Sequence, residues 1–159
     1  MPTPPPCDLC LLSLGERFFL WAMRQWCVEI RAWRPEQPRT PYDSLLWRGF
    51  DVAGLGDALP EFAMFMDTVL HGVHTPLGIH PPPCPRLGTD EARMLTAFGL
   101  ARCGYGLPLH RHLATMLAPT AARVAGGHLE AFVEQLRDAQ IDLAPARDIA
   151  ERDRLRSLQ

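Results

Sequence analysis

The chain contains no lysine and no asparagine, so all 16 of its Lys-or-Arg positions are arginine. Both missing residues have A-rich codons, and a GC-rich genome accounts for the bias. The chemical consequence holds whatever the cause. Without lysine there is no ε-amine to act as a base or to form a Schiff base. A Walker-type phosphate loop, which needs Lys, is excluded with it.

Long apolar runs are missing too. The most apolar stretch, Leu9 to Ile30, is interrupted by Glu16, Arg17 and Arg24. A membrane-spanning helix needs about 20 mostly apolar residues, and charge near its centre is costly. No basic segment followed by an apolar one and a small-residue cleavage site is present, so export by that route is not expected. The expectation is a soluble, cytoplasmic protein with reduced thiols and no membrane partner. Gly-x-Ser-x-Gly, His-Glu-x-x-His and a Cys-x-x-Cys-His haem site are absent as well. Gly104-Tyr105-Gly106 lacks the third glycine and the preceding strand of a dinucleotide fingerprint. No catalytic residue is assigned.

What is present describes a folded chain. Its 159 residues are 47% hydrophobic and 21% charged, enough for one domain with a real core. A net charge of −2 gives no electrostatic footprint for nucleic acid. No stretch shows the strict alternation of a half-buried strand. The fold class expected is all-α, a single-domain bundle of five to seven helices with a long aromatic N-terminal helix.

Residues 1–8 read as a flexible Pro-rich leader, 9–143 as the helical domain and 144–159 as a polar charged helix or tail. Ser13 and Glu16 are spaced as a capping box. Phe19, Ala22, Met23, Trp26, Ile30 and Trp33 then follow one helical face until Pro35 stops the helix. Arg17, Arg24 and Arg31, seven apart, mark a solvated stripe. A second helix is expected from Thr40 as N-cap and Pro41 at the first position, to about Phe50. A third buries Phe62, Phe65, Met66, Val69 and Val73, and a fourth opens at Thr89-Asp90-Glu91 and ends near Gly104. A fifth begins at Pro108 and is kinked or ended by Pro119; Gly126-Gly127 separates it from a sixth at Leu129 to Leu136.

Two constellations raise functional questions. Cys7 and Cys10 form a C-x-x-C pair, half of a tetrahedral zinc site or one redox couple. Cys27 lies on the first helix about 20 Å from its start, too far to join them. Cys84 sits in a second proline run, His80-Pro81-Pro82-Pro83-Cys84-Pro85. If that run is extended, His80 and Cys84 lie roughly 12 Å apart, too far to share an ion comfortably. The metal set that survives is Cys7, Cys10 and Cys84 with one histidine, and zinc is the cofactor it would take.

The other constellation is aromatic. Trp21, Trp26, Trp33 and Trp47 all fall in the first third, and Phe18 and Trp21 lie off the main apolar stripe. Such a helix is either central to the fold or exposes a face to a partner. The candidate interaction surface is Phe18, Trp21, Arg24, Trp33 and Trp47, since Trp and Arg dominate interface energetics. The first expectation is therefore a protein that binds another protein, as a regulator, adaptor or assembly factor. A second copy of the chain is one such partner. The alternative is a zinc or thiol-redox protein. A third reading is a hydrophobic-ligand pocket beside the third helix, near Phe62, Met64, Phe65 and Met66.

Overall fold

The computed structural model describes residues 8–37, 40 and 43–141, and within them the fold is all-α, with six α-helices and no strand. The helix α1 (Leu14–Ala32) starts where the sequence signals it: Ser13 Oγ accepts the Glu16 N–H at 3.2 Å and its hydroxyl faces the Glu16 carboxylate. It ends before Pro35, with Trp33 extended and Arg34 donating to the carbonyls of Arg31 and Trp33. These bonds satisfy acceptors that every helix C-terminus leaves free.

The next helix, α2 (Leu45–Val52), begins later than expected. Thr40 does not cap it; its N–H and hydroxyl both donate to Asp43 Oδ2 in a separate turn, and Pro41 lies outside the described residues. Ser44 is the cap, accepting from the Trp47 N–H at 3.0 Å. Glu29 of α1 fixes this start, taking the Ser44 hydroxyl at 2.6 Å and the Leu46 N–H at 2.9 Å. A carboxylate at a helix N-terminus is favoured by the exposed donors and the dipole together.

After a 3₁₀ turn at Gly56–Ala58 come α3 (Leu59–Gly72), α4 (Thr89–Arg102), α5 (Gly106–Ala114) and α6 (Pro119–Asp138). Gly104 follows α4 at φ 72°, the left-handed position where glycine ends a helix without strain. Pro119 opens α6, where its missing N–H costs nothing. The expected break at Gly126-Gly127 does not occur: α6 runs through it. Gly126 is buried against Leu109 and Leu113 of α5, and tertiary packing outweighs the weak helix propensity of the pair. The charged segment 144–159, like the leader to Cys7, lies outside the described residues.

One contiguous cluster of buried apolar side chains draws on all six helices. Phe19 of α1 stands at its centre, stacked on Phe98 of α4 at 4.6 Å and edge-on to Phe62 of α3. Phe50 and Phe132 complete the aromatic group from α2 and α6. The longest packing seam joins α3 to α6. It closes tightly because Gly72 has no Cβ, which would overlap that of Ala121. Backbone bonds from Ala118 to Gly72 and from His74 to Met116 pin the end of α3 to the α5–α6 corner.

α1 and α2 meet through Trp21, whose ring lies over Gly49 where a Cβ would stand. Gly49→Ala should therefore destabilise the fold by about 1–3 kcal/mol through overpacking. Gly127→Ala, mid-helix with open space around it, should stabilise by about 0.5–1 kcal/mol. Denaturant titration of both variants checks the pair, and the opposite sign for either one contradicts this packing.

Candidate functional site

Arg24 is not on a solvated stripe. It is 1% exposed and forms a two-pronged ion pair with the fully buried Glu91, at 2.7 Å from Nε and 2.9 Å from Nη2. Its remaining N–H groups reach into the proline run and donate to the carbonyls of Cys84 at 2.7 Å and Arg86 at 2.6 Å, with Pro82 at 3.5 Å. Arg17 and Arg31, at the two ends of the same stripe, are exposed as expected. The middle of α1 is enclosed: Phe19, Leu20 and Ala22 to Trp26 are all buried.

Glu91, at the third position of α4, answers from the other side. It accepts the Gly88 N–H at 2.8 Å and the His80 N–H at 3.0 Å, and His80 Nδ1 lies 3.1 Å from its Oε2. The neighbouring Asp90 takes the Gly78 N–H at 2.8 Å. Gly88 is required here because a Cβ would press on the His80 ring. The two carboxylates of the first turn of α4 thus cap it and hold the segment 78–88. That segment is not extended: the Cys84 N–H donates to the Pro81 carbonyl at 3.0 Å, closing a turn. The guanidinium gathers its carbonyls inward, which the polyproline expectation did not allow for.

Burial pushes the Glu91 carboxyl up, but the Arg24 fork, the Gly88 N–H and both donors of His80 outweigh it and hold the pKa at about 2. Glu29 is lowered in the same way, burial being overcome by Ser44, Gln25 and the α2 amides. Both carboxylates, the buried Glu91 and the half-buried Glu29, are therefore occupied by the fold.

The cysteines fall in separate surroundings. Cys7 lies outside the described residues, so the set Cys7, Cys10 and Cys84 is not seen whole. Cys10 is exposed in a 3₁₀ turn at Asp8–Leu11, its carbonyl accepting from Arg17 at 3.2 Å. Cys84 is half-buried in the latched turn. Among the described residues, no three His, Cys, Asp and Glu side chains come together as metal ligands would.

Of the expected interaction residues, Arg24 is withdrawn, because it is buried in the ion pair. Phe18 packs on Phe50 at 5.0 Å, and Trp21 lies over Gly49, so both serve the α1–α2 contact. Trp47 is half-buried on α2. Trp33 alone of the five is exposed, at 50%.

Beside the third helix, where the sequence suggested a hydrophobic pocket, the surface carries a groove between the second half of α1 and α3. Trp26 and Ile30 form a ridge along it with a basin on either side. The smaller basin, about 250 Å³, is edged by Trp33 with Leu46, Leu59 and Ala63 beneath. The larger, about 550 Å³, is walled by Val69 and Leu70 of α3 and by Leu77 and Ile79, with Cys27 and Arg31 its polar members. Of the four residues expected to line a pocket here, Met66 lines the larger basin, Phe62 and Phe65 are core residues with no exposure, and Met64 is half-exposed. The excess of apolar residues on α1 was the available signal; which side of it α3 leaves uncovered was not readable. No helix of the described residues is long and apolar enough to cross a membrane. Neither a family model, nor a curated protein, nor a solved structure matches this chain, so function is argued from its own geometry.

The ion pair sets a pH dependence. A carboxyl lowered from 4.5 to about 2 contributes stability that is complete above 4.5 and lost as pH falls toward 2. At neutral pH, Glu91→Gln should cost about 3–5 kcal/mol by stranding a buried guanidinium. The gap between wild type and variant should narrow as pH falls through that window. Denaturant titrations across it test this; a constant gap would mean that Glu91 is not ionised in the fold.

Proposed function

We propose that residues 9–143 form a single cytoplasmic helical binding domain that acts on another protein and catalyses no reaction itself. The observation that supports it best is the half-exposure of Trp33 and Ile30, at 50% and 42%, over the smaller apolar basin. An exposed tryptophan beside a mainly apolar hollow is the kind of anchor by which a few residues carry most of a protein–protein contact. The state of these two acids argues the same way. Glu29 and Glu91 spend their lone pairs on the fold, leaving neither poised as a general base.

Trp33→Ser should leave the unfolding midpoint nearly unchanged, because surface truncations away from special contacts cost little. It should weaken a purified complex with the partner about tenfold or more. Val52→Ser, at a site 87% exposed and outside the basin, is the control and should bind as wild type does. Affinity capture from source-cell extract, followed by titration of the purified pair, makes the comparison. Equal affinity of wild type and Trp33→Ser would overturn this reading.

One observation favours a second reading, zinc or thiol chemistry at Cys7, Cys10 and Cys84. Arg17 and Arg24, two turns apart on one stripe of α1, hold the carbonyls of Cys10 and Cys84 respectively. Both cysteine segments are thus tied to the same helix. Zinc near one equivalent per chain, lost in a Cys7→Ser/Cys10→Ser variant, would support it. Metal-free protein that retains full stability with both serines would remove it.

A further inference from the structure

We propose that the larger basin between α1 and α3 binds a small amphiphilic carboxylate, a free medium-chain acyl or aryl acid, with its apolar part on the ridge and its carboxylate on Arg31. At about 550 Å³ the basin is within the range of small-molecule sites. Its walls are aliphatic and aromatic: Trp26, Ile30, Val69, Leu70, Leu77 and Ile79. No carboxylate side chain lines it. Its single formal charge is Arg31, whose guanidinium makes no hydrogen bond or ion pair among the described residues.

That isolation is informative because the other end of the stripe and its middle are employed. Arg17 and Arg24 both hold backbone carbonyls. In the last turn of α1, Arg31 offsets the negative end of the helix dipole, a task needing only charge. Its planar fork of donors remains free, and that fork matches a carboxylate in a way a point charge does not. A ligand with an apolar body and one carboxylate satisfies both features of the basin at once. A cationic or neutral amphiphile satisfies only the walls.

Cys27 is the built-in reporter. Burial raises its thiol pKa, outweighing the opposing influence of Arg31, so it stays protonated at neutral pH. It is then a polarisable wall group and a slow nucleophile. A ligand in the basin should shield it from alkylation, while Cys10, exposed in the Asp8–Leu11 turn and lining neither basin, provides an internal standard.

This inference is independent of the partner-protein reading, because Trp33 edges the smaller basin and not the larger. The test is site-resolved alkylation by maleimide, read by peptide mass spectrometry, with monomeric decanoate, decanol or decyltrimethylammonium added. Decanoate should slow Cys27 labelling at about tenfold lower concentration than decanol, with Cys10 unaffected. Arg31→Gln should erase that difference, and Arg31→Lys should keep part of it. Leu70→Glu, at a half-exposed wall position, should abolish protection without unfolding the chain, as circular dichroism would verify. Equal protection by all three amphiphiles, or an Arg31→Gln variant that still prefers decanoate, would overturn the carboxylate assignment. No protection by any of them would overturn the binding site itself. Trp33→Ser should behave as wild type here, so the two readings fail separately.

Discussion

The Arg24–Glu91 pair is the constraint on which the rest of this molecule depends. Between Val73 and Thr89 the chain runs through irregular structure rich in proline, and Pro81, Pro82, Pro83 and Pro85 contribute carbonyls but no N–H. Such a segment has more acceptors than donors and cannot close its own hydrogen bonds. Arginine is the complement, with donors in a rigid fork and no acceptor of its own. Arg24 takes the carbonyls, Glu91 and Asp90 take the N–H groups, and the ion pair couples the two sets.

This arrangement changes the usual arithmetic of a buried ion pair. Elsewhere such a pair can often be replaced by apolar residues of similar volume at no loss. Here each partner also satisfies the backbone of the loop, so an apolar replacement would strand those groups as well. The segment also supplies Leu77 and Ile79 to the wall of the larger basin. The groove between α1 and α3 therefore keeps its shape because a buried pair joining α1 to α4 holds the connecting chain in place. Glu29 plays a parallel part at the start of α2, and the two carboxylates together set where α2 and α4 begin.

Where a local signal had a single interpretation, the sequence revealed the fold. Ser13 with Glu16 marked the start of α1, Pro35 its end, and Gly104 the end of α4; the phenylalanine stripe of α3 faced inward as its period required. Ambiguous signals misled. Thr40-Pro41 resembles a helix start, but the helix begins at Ser44, where Glu29, 15 residues earlier in the chain, takes the Ser44 hydroxyl. Gly126-Gly127 resembles a break until α5 packs against it. Arg24 resembles surface because its neighbours at seven-residue spacing are surface; its partner lies 67 residues away, beyond any local pattern. The candidate sites followed the same division. Trp33 is exposed, while Phe18 and Trp21 were absorbed by α2, and the groove depended on how far α3 stands from α1.

The most direct measurement is native-state hydrogen exchange at the amides of His80 and Gly88. Both lie in an irregular, partly exposed segment, yet both donate to a buried carboxylate. Residues in such segments ordinarily exchange through local opening at little cost. If the ion pair governs the structure, these two amides will be protected nearly as well as the core of α4 and will lose that protection together in Glu91→Gln. Exchange in the wild type at the rate of an open loop would contradict the account.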